Sequence, residues 1–130
     1  MFNDHDDLEY TLLREQAIPS QSVDGTVTGD GIDARLMGAH VMVIVNVGAV
    51  ASGATGTVAL QSSLNDNTAD AQNAANAYTE IDSVDLAGTD ANTNVLLKTH
   101  TRGEAYLRVV VTTTDAILVG AIIVSKPNRL

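Results

Sequence analysis

The run GEAYLRVVVTTTDAILVGAIIVS, residues 103–125, decides the fold class. From Ala105 to Thr114 and again from Ala116 to Ser125, β-branched and aliphatic residues dominate, and Thr113, Thr114 and Asp115 break the run between them. Each half has strand length, so the stretch reads as a β-hairpin of two long strands built for burial. Working outward, Ala39–Val47 sets Ala39, Val41, Val43, Val45 and Val47 on one face, while Met42 and Ile44 make the other face largely apolar too. That pattern predicts a strand covered on both sides. Thr57–Leu64 places Val58, Leu60 and Leu64 on one face and Thr57, Gln61 and Ser63 on the other, which predicts a half-exposed strand.

The remaining segments follow the same grammar. Tyr78–Leu86 reads as a strand with Tyr78, Ile81 or Val84 turned inward, and Val95–Thr99 as a short one. Thr26-Val27-Thr28 lies between two tight-turn signals, Asp24-Gly25 and Asp30-Gly31. Gly48–Gly56 is a turn of small residues, and Asn65–Ala77 (NDNTADAQNAANA) is a low-complexity excursion loop. Ile18-Pro19 is expected to end whatever precedes it, because proline confines the residue before it to extended conformations. Some eight short strands separated by Gly, Asp and Asn turns specify an all-β antiparallel sandwich with little helix. The expected division is an N-terminal arm over 1–18 and one β-sandwich domain over 19–130.

Composition narrows the function. At 130 residues the chain suffices for a single cored domain. The absence of cysteine removes disulfides, thiolate metal sites and cysteine nucleophiles. The apolar runs Val41–Val47 and Ala116–Val124 are too short to span a bilayer as helices, and the acidic start Met1–Asp7 is the opposite of a signal peptide's basic region. A formal charge of −9 argues against nucleic acid or an anionic membrane surface as partner. The charge is also segregated. No Lys or Arg occurs from Leu36 to Leu97, whereas Lys98, Arg102, Arg108, Lys126 and Arg129 outnumber Glu104 and Asp115 in the remainder. Such polarity suits assembly with copies of itself or with a partner, since complementary patches fix register, and it equally fits acidic loops that keep the domain soluble. Phe2, Tyr10, Tyr78 and Tyr106 are the only aromatics, too few for the stacking platforms of sugar or single-strand binders.

Chemistry has little foothold. His5, His40 and His100 form no ligand pair, and none of the common hydrolase, nucleotide or zinc motifs occurs, so no enzyme and no cofactor is expected. Two oxygen-rich clusters have calcium-like composition: Asn65, Asp66, Asn67 and Asp70, and Asp4, His5, Asp6 and Asp7. The first lacks the central glycine and terminal glutamate of an EF-hand, and a solvated loop is its simpler reading. Arg108 alternates with Leu107 and Val109, which predicts a surface position, with either a salt bridge to a neighbouring strand, the simpler reading, or a contact to a partner subunit.

The pattern TVALQSSLNDNTADAQNAANAYTEI (57–81) followed by GEAYLRVVVTTTDAILVGAIIVSKPNR (103–129) resembles small structural proteins of tailed-bacteriophage heads. The matching positions are Val58, Leu60, Gln61 and Ser63, then Tyr78, Thr79 and Ile81, then Tyr106, Leu107, Arg108 and Val109. The resemblance spans roughly residues 40–127 and implies a head decoration or cement protein. The implied fold is a jelly-roll-like β-sandwich of about eight strands with an extended N-terminal arm. The implied location is the capsid surface of the virion. Its implied partners are the major capsid protein and itself, as homodimer or homotrimer, with many copies acting together. The arm would reach across a subunit boundary. The candidate partner-binding residues are Leu8, Tyr10, Leu12, Leu13 and Arg14 of the arm and Arg129 of the C-terminal tail. A tail or spike component, or a receptor- or glycan-binding β-sandwich, is the alternative.

Overall fold

A computed structural model describes residues 13–35, 37–63, 78–99 and 106–127. Among them are nine strands and no α-helix: β1 (Leu13–Val23), β2 (Thr26–Thr28), β3 (Ile32–Asp33), β4 (Met37–Val50), β5 (Gly56–Ser63), β6 (Thr79–Leu86), β7 (Thr93–Thr99), β8 (Tyr106–Thr113) and β9 (Ile117–Pro127). A 3-10 turn at Gly88–Asp90 links β6 to β7.

The strands form two antiparallel sheets. One, here the cationic sheet, has the order β1-β9-β4-β7. The other, the tyrosine sheet, has the order β2-β8-β5-β6, with β3 also on β8. Thr26–Thr28 faces Thr112–Val110, and Ile32–Asp33 faces Leu107–Tyr106, so β2 and β3 are successive pieces of one interrupted strand. Counted that way there are eight strands, and the two sheet orders are those of a jelly roll, with consecutive strands repeatedly changing sheet.

This topology corrects the hairpin expectation. β8 pairs with β5 and β2, while β9 pairs with β1 and β4, so the two aliphatic strands face each other across the core instead of lying side by side. Two consecutive strands with a fully apolar face bury more by lying on opposite sides of the core, and Thr114-Asp115-Ala116 lacks the glycine that a two-residue hairpin requires.

The core is the sum of the inward faces. Val41, Val43, Val45 and Val47 of β4 and Ile117, Val119, Ala121 and Ile123 of β9 meet Val58 and Leu60 of β5, Leu86 of β6 and Leu107, Val109 and Val111 of β8, all of them buried. Removing each large side chain from water contributes roughly 1.5–3 kcal/mol. Close approach of the sheets is visible at Gly29, where a side chain would collide with the Ala17 carbonyl oxygen.

Three further expectations are corrected. β1 runs straight through Pro19, and Leu13–Ile18 of the expected arm belong to that strand, with Ala17 and Ile18 in the core. Proline is accommodated because β1 is an edge strand and Pro19 falls within a register shift, between Ile18 and Gln21, where no ladder hydrogen bond is required of it. β5 is not half-exposed: Ala59 and Ser63 on its outward side are buried along with Val58 and Leu60. The small-residue segment after Val47 also keeps its strand geometry to Val50, again through a register shift.

Candidate functional site

The cationic sheet presents an outward face with unusual chemistry. Because strand side chains alternate, the cross-strand registers fix its rows. Arg14, Val124, Met42 and Lys98 make one row; Gln16, Ile122, Ile44 and Leu96 make the next. Leu96 is 47% exposed, Met42, Ile44 and Ile122 are half-buried, and Leu118 further along β9 is 44% exposed. Arg14, Lys98 and Lys126 are exposed around this apolar centre. Among the described residues no carboxylate occupies an outward position of these four strands, in a chain whose net charge is −9. Further along, Gly120 lies under Ser20, whose hydroxyl stands 2.6 Å from where a Cβ would be, and this contact borders a shallow groove of about 160 Å³.

The tyrosine sheet is different. Its outward positions include Asp33, Glu80 and Asp85, and at one end a closed polar cluster. Arg108 is 8% exposed, its Nε donates to Gln61 Oε1 at 2.7 Å, and its guanidinium lies 4.1 Å from the centre of the Tyr78 ring. The predicted surface salt bridge is therefore corrected: among the described residues no carboxylate pairs with Arg108, and the guanidinium is held by an amide and an aromatic face instead. The register explains this, since Gln61 stands directly opposite Arg108 on β5. Burial pushes the Tyr78 phenol above its usual value, opposed by the Arg108 charge and reinforced by Tyr106. Tyr106 in turn has Arg35 at 5.8 Å from its ring centre. Arg35 grips Asp33 through Nε and Nη2, the shortest contact being 2.6 Å. The hydrogen bond from Arg35 holds the Asp33 carboxyl below its ordinary value, against a smaller desolvation effect.

At the opposite end of the tyrosine sheet, Thr55, Thr57, Thr112, Thr114 and Asp85 line an open groove of about 450 Å³. Its hydroxyls are partly tied to one another, with Thr55 N donating to Thr114 Oγ1 at 2.9 Å and Thr57 Oγ1 reaching Asp85 at 3.5 Å.

Of the residues singled out from sequence, Arg14 stands on the outward face of β1 opposite Val124, and Leu13 opens that strand opposite Ser125. Leu8, Tyr10, Leu12 and Arg129, His5 and His100, and both calcium-like clusters lie outside the described residues. His40 is exposed on β4, and its carbonyl accepts a 2.7 Å hydrogen bond from Ser125 Oγ. Among the described residues no three His, Asp or Glu side chains gather as a metal site, and no helix is long and apolar enough to cross a membrane. Leu96, Ile122, Val124 and Lys98 were not candidates from sequence. The available signal was the doubly apolar character of β9, where residues of both parities are aliphatic.

No protein-family description and no curated protein matches the chain. Among solved structures it is similar to the crystal structure of the PBSX exported protein XepA, with a TM-score of 0.58 at 12% identity over 91% of this chain and 37% of that one. It is also similar to the structure of the infectious bursal disease virus Gx strain, with a TM-score of 0.47 at 11% identity over 88% of this chain and 31% of that one. The chain thus spans less than two fifths of either structure, and the XepA match is a likeness of fold.

Proposed function

We propose that the chain is a virion structural protein that binds the outside of a phage capsid and cements neighbouring major capsid subunits, acting as an oligomer and without turnover. The observation that carries this reading is the open outward face of the cationic sheet: Met42, Ile44, Leu96 and Ile122 rimmed by Arg14, Lys98 and Lys126. A contiguous apolar patch with a polar rim marks a protein-binding surface, and a cationic rim on an acidic chain selects a partner with carboxylates around an apolar centre. The jelly-roll order of the sheets and the phage-head resemblance of residues 57–81 and 103–129 support the same assignment. So does the fold shared with XepA.

The test is co-sedimentation of the purified chain with expanded phage heads that lack it, comparing wild type with Ile122→Asp. Saturable binding that the substitution abolishes, with the circular dichroism spectrum unchanged, is the expected result. Absence of binding, or binding indifferent to Ile122→Asp, would refute the reading. A glycan-binding module is favoured by one feature, the groove of threonine hydroxyls and Asp85, and a glycan array on the wild-type chain decides whether that groove takes a saccharide.

A further inference from the structure

Four strands end the two sheets, and three of them are blunted. β1 carries Pro19 and two register shifts. β2 and β3 are pieces of three and two residues. β6 has a register shift and carries Glu80, Asp82 and Asp85. Proline, bulges, brevity and charge are the devices by which edges avoid pairing. β7 has almost none of them. It pairs with β4 through seven consecutive residues from Thr93 to Thr99 without a shift, contains no proline, glycine or carboxylate, and carries one charge, Lys98. Among the described residues β4 is its one partner strand, and Leu96 at its centre is the more exposed of the two large exposed hydrophobic residues.

The sequence of this edge is self-complementary. TNVLLKT reads nearly the same in both directions about Leu96: Thr93 corresponds to Thr99, Asn94 to Lys98 and Val95 to Leu97. We infer that β7 pairs antiparallel with β7 of a second copy about a two-fold axis at Leu96, joining two four-stranded sheets into one of eight. In that register threonine meets threonine, apolar meets apolar, and each Lys98 faces Asn94 of the other copy instead of another lysine. These are the favourable cross-strand pairings, with no like charges directly opposed. An axis perpendicular to the sheet keeps both outward faces on the same side, so the two patches of Met42, Ile44 and Leu96 become continuous. The chain's overall negative charge opposes most self-contacts, and β7 brings no carboxylate to the junction.

This inference gives a surface to the self-association in the proposed function, yet needs no capsid. It is therefore tested on the purified full chain by analytical ultracentrifugation. Wild type is expected to sediment at twice its 13.6 kDa mass. Leu96→Asp sets two carboxylates against each other at the axis and is expected to weaken the dimer at least ~100-fold. Leu118→Asp, an equally exposed position on the same sheet, is expected to leave it intact. A second readout covers a fold defect in Leu96→Asp. The chain has no cysteine, so Leu96→Cys is expected to form a disulfide-linked dimer on mild oxidation, and Leu118→Cys is expected to remain monomeric on a non-reducing gel. A wild-type monomer at all concentrations, a dimer unaffected by Leu96→Asp, or failure of Leu96→Cys to cross-link would each overturn the proposal. A chain monomeric alone, whose β7 amides gain hydrogen-exchange protection only on heads, would overturn it too and assign the edge to the shell protein.

Discussion

The two outward faces of this sandwich invert the usual rule. At one end of the tyrosine sheet, polar side chains are closed in: Ser63, Tyr106 and Arg108 are all less than 9% exposed, and Arg108 is satisfied by Gln61 and Tyr78. On the cationic sheet, apolar side chains stand open at Leu96 and Leu118, with Met42, Ile44 and Ile122 half-covered. An isolated domain gains nothing by hiding arginine and exposing leucine. The arrangement is economical if the tyrosine sheet finishes its own interactions and the cationic sheet finishes them with a partner. The contrast marks the outward face of the cationic sheet as the surface on which the proposed partner docks.

The most drastic way to break the comparison is to erase both sheets at their shared core. Val43→Asp and Val109→Asp each place an unpaired carboxylate at a 0% exposed position and are expected to abolish cooperative unfolding by circular dichroism. A folded, soluble variant would mean that the strand faces the other way. Next comes the contrast itself. Arg108→Ala removes a hydrogen bond from a charged donor and a ring contact, and is expected to cost roughly 1.5–3 kcal/mol in urea unfolding. Ile122→Ala, on the open face, is expected to cost less than about 1 kcal/mol to the isolated monomer. If Ile122 proved the costlier, the open face would be part of the folding core and not a docking surface.

Smaller effects sharpen the picture through pH. The Tyr78 phenol is raised by burial, so the folded state holds its proton more tightly than the unfolded chain does. The stability this contributes is complete below the ordinary value of 10.0 and is lost as pH rises through the folded value above it. Tyr78→Phe is expected to lose that alkaline limb in thermal melts, and a variant that keeps it would show that another group is responsible. Asp33 is the opposite case. Its lowered value contributes stability present above 3.8 and lost as pH falls through the folded value. Both partners of this pair are well exposed, with side chains at 57% and 43%, so Asp33→Asn is expected to shift stability at neutral pH by less than about 1 kcal/mol. A larger shift would give the Asp33–Arg35 pair a structural role beyond the surface.

Much of this fold was legible in the sequence, but unevenly. Alternation in Val41–Val47 and of Leu107 and Val109 about Arg108 located the inward faces of β4 and β8, because a period of two leaves one solution once the core side is known. The partnering of β8 and β9 was misread as a hairpin because the same aliphatic pattern serves a strand pair and two strands facing across a core, and local sequence does not distinguish them. Pro19 misled for a related reason: it forbids a central strand but not an edge with register shifts, and whether β1 is an edge is a property of the whole topology. The site was the least legible part. Arg14 was read from the expected arm and belongs to the rim of the open face, yet Leu96, Ile122 and Lys98 reach the same patch from strands far apart in sequence. Only the register brings them together.

The central claim is that this chain coats a capsid, and quantitative mass spectrometry of purified virus particles tests it most directly. The chain is expected to be present in a copy number comparable to that of the major shell protein. A few copies per particle, or none, would contradict it.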